Sequence, residues 1–209
     1  MRFRFSFIAL LAAVFFTAPV KAETSAEGEA FVRVVADEVI TILKTAQTRE
    51  DREAQFSGLL TEKANLRRIG DFTLGSFRRR VSGDDLENFH DLFKNMIVKV
   101  YANRLGGYTE QKIKILGSSQ KKKNILVETE LVFTDGRDPI SMVWRLYREK
   151  DGRLTLFDLR VLGVWMALEQ REAFGSLLKN NNEDFNVLLS HLTKQINSSL
   201  DDPTNIAAN

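Results

Sequence analysis

Residues 140–178 constrain the fold most, because they contain two alternating apolar stretches joined by a turn at Asp151-Gly152. Before the turn, one face of the stretch carries Ile140, Met142, Trp144 and Leu146. After it, Asp158 and Arg160 alternate with Phe157, Leu159 and Val161. Alternation with a period of two on both sides of Asp-Gly predicts a β-hairpin. Gly163 then ends the second strand, and apolar residues recur at helical spacing as far as Leu178.

The first 22 residues have the pattern of a cleaved secretory signal peptide. Arg2 and Arg4 precede an apolar stretch, and Val20-Lys21-Ala22 offers small residues for cleavage. The apolar stretch is short for a membrane span. This segment holds three of the 30 basic residues and none of the 28 acidic ones, so the mature net charge is about −1. We therefore expect an exported protein of the periplasm that does not bind nucleic acid, which requires a concentrated basic face.

The remaining chain predicts a single α+β domain over residues 23–196, followed by a flexible tail over residues 197–209. Helical periodicity marks residues 26–45, 49–60, 65–74, 84–102, 169–179 and 184–196. Alternating strands follow one another over residues 112–116, 125–133, 140–147 and 155–161. We predict a curved antiparallel sheet of about four strands packed against about six helices.

The sequence does not contain a recognisable catalytic or metal-binding motif, so neither an enzyme nor a cofactor is predicted. Cysteine is absent, which excludes thiolate chemistry and disulfides. Asp158 is the most notable acid because it lies between two apolar residues of a strand. It could act as a general base, but a buried carboxylate needs a partner, and Arg160 or Arg171 would provide an ion pair.

The helix predicted at residues 84–102 has an aromatic stripe that includes Phe89, Phe93 and Tyr101. Such a stripe is usually buried in a core. A sheet covered by aromatic helices can instead enclose an apolar cavity for a ligand. The residues alone leave these two alternatives open.

Several short motifs together resemble the MlaC family, also called the toluene-tolerance family, of periplasmic phospholipid-binding proteins. Leu74-Gly75-x-Phe77-Arg78 is similar to its Leu-Gly-x-x-Trp-Arg segment. Phe89 and Phe93, then Tyr101 and Tyr108, follow its aromatic pattern. Phe157-Asp158-Leu159 with Gly163-Val164 resembles its Tyr-Asp-Val…Gly-Val-Ser strand end, and Gln170-Arg171-x-x-Phe174 its Tyr-Arg-x-x-Phe helix. The resemblance extends over about residues 31–192.

The resemblance implies a lipid carrier whose acyl tails lie in an apolar cavity between the sheet and the helices. The implied partners are phospholipid, an inner-membrane ABC transporter with an MCE-domain subunit, and an outer-membrane lipoprotein complex, which together maintain outer-membrane lipid asymmetry. The residues that we assign to the lipid site are Leu74, Phe77, Phe89, Phe93, Ile97, Tyr101, Tyr108, Met142, Trp144, Phe157, Leu159, Val161, Val164, Trp165 and Phe174.

Two departures from the family pattern affect the expected lipid. Phe77 stands where the family has Trp, and Trp165 where it has Ser. The helix that begins at Ala167-Leu168 also resembles a hopanoid-associated branch. Alternatives are therefore a carrier of hopanoid or another polycyclic lipid, a chaperone-like module for apolar segments, and a lipid-modifying enzyme that uses Asp158.

Overall fold

The computed structural model describes residues 24–104 and 111–198, which form one α+β domain. Its helices are α1 Ala26–Thr45, α2 Arg49–Lys63, α3 Leu66–Leu74, a 3-10 helix Gly75–Arg80, α4 Gly83–Arg104, α5 Met166–Asn180 and α6 Phe185–Ser198. Its strands are β1 Lys112–Lys121, β2 Asn124–Val132, β3 Ile140–Arg148, β4 Leu154–Val161 and β5 Val164–Trp165. The predicted α+β class and the number of α-helices are confirmed.

The first three helices begin at side chains that cap them. The Ser25 hydroxyl accepts a hydrogen bond from the Gly28 amide, and the Thr48 hydroxyl accepts one from the Asp51 amide. The side-chain Oδ1 of Asn65 accepts from the Arg68 amide at the start of α3. Each cap satisfies an amide that has no partner within its helix, which explains why these helices begin where they do.

The sheet is an antiparallel meander in the order β1-β2-β3-β4-β5, as the succession of hairpins predicts. It has one strand more than the expected four, because Val164 and Trp165 pair with Val161 and Arg160 after a turn. The register shifts once between β1 and β2 and once between β3 and β4. Such bulges bend a sheet.

One face of the sheet packs against α1. Val32 and Val35 of α1 are buried in a cluster, here called the sheet cluster, with Ile125, Val127, Trp144 and Leu146. A Cβ atom on Gly28 would lie 2.6 Å from the Ile125 side chain, so only glycine permits this approach of helix and strand. The Trp144 indole N–H donates to the buried Thr129 hydroxyl at 3.0 Å, which satisfies the polar groups of both residues.

The aromatic stripe of α4 lies in a second, helical core. Phe89 and Phe93 are fully buried with Phe174 of α5, and leucines of α3, α5 and α6 surround them. The sequence left open whether this stripe fills a core or lines a cavity. In the structure it fills a core, because α4 packs mainly against α2, α3 and α6. Helical packing therefore buries the rings that face away from the sheet.

Some expectations fall on residues outside the described ranges: the signal peptide, Tyr108, and the tail beyond Ser198. The first two residues assigned to that tail, Asn197 and Ser198, belong to α6. None of the described helices has the length and apolar character needed to cross a membrane.

Candidate functional site

Most of the predicted lipid-site residues fall into two groups with different burial. Five of them are packed in the helical core: Leu74, Phe77, Phe89, Phe93 and Phe174. Phe89 and Phe93 stack at 5.7 Å between ring centroids, and the edge of Phe174 contacts Phe89 at 6.1 Å. Ile97 packs against this cluster and is half-buried. In this structure the rings of Phe89, Phe93 and Phe174 fill space with one another, whereas Leu74 and Phe77 also line an open groove beside the helical core.

The second group lies along α1, which packs on the sheet and also forms a small cluster with α2 and the C-terminal end of α4. Met142 and Leu159 are half-buried against the sheet cluster, and Val161 pairs with Met142 across the strands. Val39 of α1 packs against both the sheet cluster and a smaller cluster between α1, α2 and α4, which Tyr101 also joins. We call this continuous zone, formed by Val39, Tyr101, Met142, Leu159 and Val161, the apolar seam.

The apolar seam combines side chains from four elements, and all five are neither fully buried nor fully exposed. Trp144 forms its floor, since it lies opposite Leu159 in register and is buried in the sheet cluster. Sequence reasoning missed the contribution of α1, although the apolar periodicity of that helix marked Val39 as inward-facing. A partly exposed apolar zone of this kind is a candidate binding surface for an apolar ligand.

The alternation predicted that Phe157 and Leu159 lie on the same face of β4, but in the structure they do not. Leu146 pairs with Leu156 and Arg145 pairs with Asp158, so Phe157 is the extra residue of a bulge. Leu156 takes the place beside Leu159 in the sheet cluster, and the Phe157 ring instead contacts Phe72 of α3 at 5.3 Å. Phe157 therefore fixes α3 against β4.

Asp158 is buried, and the expected ion pair with Arg160 or Arg171 is absent from the described residues. Its Oδ1 accepts hydrogen bonds from the Leu159 amide at 2.8 Å and the Ala167 amide at 2.9 Å. Because the residue preceding α5, Trp165, provides no side-chain cap, Asp158 caps this helix from β4. Burial raises the pKa of Asp158, while both amides and the nearby Arg145 guanidinium oppose this effect.

Trp165 and Val164 lie at the edge of the sheet, where Val164 pairs with Val161 at one end of the apolar seam. The Arg145 guanidinium lies 4.1 Å from the centre of the Trp165 ring, and that of Arg160 lies 5.3 Å from it. Val164 is exposed. The Trp that replaces the family's Ser is therefore held between two arginines and is not part of a closed pocket wall.

Glu149 connects the β3–β4 hairpin to α3, a role that the sequence did not indicate. Oε1 of Glu149 accepts hydrogen bonds from the side-chain amide of Asn65 and from the Thr155 hydroxyl, both at 3.1 Å. Its Oε2 accepts from the Arg68 guanidinium at 2.7 Å. Burial alone would raise the pKa of Glu149, but these three donors together lower it. The hairpin and the start of α3 are thereby held in one orientation.

Two open grooves lie on the helical layer. One, of about 480 Å³, runs between α4 and α6 and is lined by Asn88, Leu92, Asn186, Leu189, Ser190 and Thr193. The other, of about 430 Å³, lies between the 3-10 helix and α5 and includes Arg171 and Lys179. Neither groove coincides with the apolar seam. Within the described part of the chain, His, Cys, Asp and Glu do not cluster in a way that could hold a metal ion.

Comparison with known proteins places this geometry in a family. The model of the MlaC protein family matches residues 33–194, which is most of the chain. A stretch of 105 residues is 29% identical to the intermembrane phospholipid transport system binding protein MlaC of Haemophilus influenzae. This stretch spans 49% of the chain and 49% of that relative, so it covers about half the length of the curated protein.

A solved structure has the same fold. The phospholipid-binding protein from Ralstonia solanacearum, determined in complex with a phospholipid, superimposes with a TM-score of 0.73 and 17% sequence identity. The superposition covers 84% of this chain and 99% of the other. The family model matches both layers of the domain, from α1 to α6, and the chain therefore belongs to the MlaC family.

Proposed function

We propose that this protein is a periplasmic carrier that binds the acyl tails of a phospholipid along the apolar seam. The observation that carries the proposal is a half-buried apolar zone between the sheet and the helices of an MlaC-family domain. The fold is shared with a protein that was solved with a phospholipid bound, which supports the same class of ligand. No chemical reaction is required of such a carrier, in agreement with a sequence that lacks a catalytic motif.

The energetics suit reversible binding. A tail of about 15 carbon groups, at about 0.8 kcal/mol each, gains of order 12 kcal/mol on leaving water. Freezing the rotors of the tail lowers this gain considerably. A membrane offers the tail a similarly apolar environment, so the difference between the membrane and the seam is small. The seam can therefore both take up and release lipid.

We further propose that the carrier exchanges lipid with an inner-membrane ABC transporter that has an MCE-domain subunit and with an outer-membrane lipoprotein complex. This exchange would maintain outer-membrane lipid asymmetry. Support comes from family membership and from the signal-peptide pattern of the first 22 residues. Fractionation of cells and crosslinking of the mature protein would test the compartment and both partners directly.

The first experiment extracts the purified mature protein with organic solvent and identifies the extract by mass spectrometry. We expect one phospholipid class in a fixed ratio to protein, and uptake of labelled phospholipid from vesicles by the stripped protein. A polycyclic lipid in the extract would identify a hopanoid-type ligand in place of phospholipid. Bound peptide would favour a chaperone-like module, and neither lipid nor uptake would refute the carrier.

A substitution in the seam tests the location of the tails. Leu159→Trp adds bulk beside Met142 and is expected to reduce lipid loading several-fold while the protein stays folded. Leu116→Trp is the matched control, because Leu116 is half exposed on β1 and lies outside the seam. If the seam were a solid core, Leu159→Trp would instead destabilise the fold by about 1–3 kcal/mol without a lipid-specific effect.

The Asp158 geometry argues against a lipid-modifying enzyme. One carboxylate oxygen of Asp158 already accepts two backbone amides, and the side chain is buried under α5. Prolonged incubation of the purified protein with phospholipid should leave the lipid intact. Hydrolysis that disappears in Asp158→Asn would overturn this conclusion.

A further inference from the structure

The exposed apolar side chains of the domain are concentrated at one corner. Among the described residues, five large apolar side chains are strongly exposed, and three of them lie within seven positions: Leu162 at 67%, Val164 at 46% and Leu168 at 42%. They surround the short strand β5 at the edge of the sheet and the first turn of α5. We call this region, with Arg145, Arg160 and Trp165, the β4–β5 corner. A cluster of this kind marks an interaction surface more often than scattered single residues do.

The turn between β4 and β5 presents Leu162 in an unfavourable conformation. Both Leu162 and Gly163 have positive φ angles, of 50° and 88°. Two-residue turns with positive φ at both positions favour Asn or Gly, and leucine is strained there. Stability therefore does not explain an exposed leucine at this tip, whereas a role in contacting an apolar partner does.

The polar groups of the corner are cationic. Arg145 and Arg160 both lie over the Trp165 ring, and neither forms an ion pair with any described residue. The carboxylate nearest to Arg145, that of Asp158, is buried and already accepts two backbone amides. The two guanidinium groups thus remain available to anions from solution.

We propose that the β4–β5 corner docks the protein on the surface of an anionic lipid bilayer. Leucine and valine side chains on a projecting turn can enter the headgroup region, and tryptophan prefers that interface. The two arginines complement anionic headgroups, each contributing about fivefold in partitioning. An acidic partner protein would satisfy the arginines, but it would require a broad matching surface in place of a projecting tip. The corner adjoins the apolar seam at Val161 but shares no residue with it, so the inference goes beyond the carrier proposal.

Vesicle flotation of the full mature protein tests the inference. The probes are phosphatidylcholine vesicles with and without phosphatidylglycerol. The wild type is expected to bind the anionic vesicles, and to bind them less at high salt. The double variant Leu162→Ser with Leu168→Ser should lose about tenfold in partitioning, because fewer apolar groups enter the interface. Arg160→Gln should lose about fivefold.

The matched control is the double variant Val34→Ser with Leu116→Ser, since these residues are exposed by 48% and 50% on α1 and β1. It should bind vesicles like the wild type. Equal binding by the corner and control variants would overturn the inference, as would equal binding to neutral vesicles or the absence of any vesicle binding. Binding to an acidic protein in place of vesicles would identify a protein interface instead. Lipid extracted from each variant distinguishes the two proposals. A corner variant that keeps its bound lipid but loses vesicle binding supports docking at the corner and leaves the carrier proposal intact.

Discussion

Replacing Asp158 with alanine is expected to destabilise the domain by about 2–4 kcal/mol. The substitution leaves the Ala167 and Leu159 amides without their acceptor. A buried amide that loses its partner costs about 1–3 kcal/mol, and removal of a helix cap costs about 0.5–2 kcal/mol. The two costs overlap at Ala167, which is why the expected total is lower than their sum. For a domain of this size, the midpoint of thermal unfolding should fall by about 5–12 °C.

The matched variant is Asp158→Asn, which keeps an acceptor oxygen at the same position and removes the charge. It should cost less than the alanine substitution, because its carbonyl oxygen can still accept from both amides, although its NH2 group takes the buried position of Oδ2, which has no hydrogen-bond partner. Urea unfolding followed by circular dichroism measures both variants. Equal destabilisation by alanine and asparagine would refute the cap, since it would mean that the charge itself is required, as an ion pair with an arginine would demand.

The difference in stability between the wild type and Asp158→Asn should depend on pH. Because burial raises the pKa of Asp158, the folded state binds the proton more tightly than the unfolded state does. The contribution of Asp158 to the stability of the folded state is therefore full below the unfolded pKa of about 3.9. It declines as pH rises towards the raised folded pKa. The stability of Asp158→Asn relative to the wild type should increase over that interval. A constant difference across it would contradict the raised pKa.

Three further predictions concern the frame around the seam. Glu149→Gln should reduce stability at neutral pH but not at low pH, because the lowered pKa of Glu149 makes its contribution disappear as pH falls through the folded value; pH-dependent urea unfolding measures this. Gly28→Ala should destabilise the domain by about 1–3 kcal/mol, because its Cβ would lie 2.6 Å from the Ile125 side chain. Gly58→Ala is the control, since Gly58 lies in open space on α2, and it should stabilise the domain by about 0.5–1 kcal/mol. Phe174→Ala should cost about 3–5 kcal/mol in thermal unfolding, since its ring is fully buried.

The succession of elements could be predicted from the sequence because each element carries its own periodicity. The helix at residues 26–45 was predicted at the bounds that α1 has, and the hairpins followed their turn residues. Such signals depend on neighbouring residues only. They also predicted the meander, since strands joined by short turns pair with their neighbours.

The partners of individual side chains could not be predicted in the same way. Phe157 leaves the face of Leu159 because of a bulge, and a bulge depends on how two strands settle against α3. Asp158 accepts the Ala167 amide, nine residues later, instead of pairing with an arginine, because a turn and β5 bring α5 back over β4. Alternation gives the face of a strand, but contacts of this kind are determined only once the layers have packed.

The contrast between the helical core and the apolar seam suggests where the domain can open. The helical core is held by fully buried rings such as Phe89 and Phe93, so separating its helices would expose large aromatic surfaces. The side chains of the apolar seam are only half-buried, and their separation exposes less new surface. Local opening favours regions with few buried contacts. In the proposed carrier, the aromatic stripe of α4 would keep the helical layer rigid, while the apolar seam would part around an acyl tail.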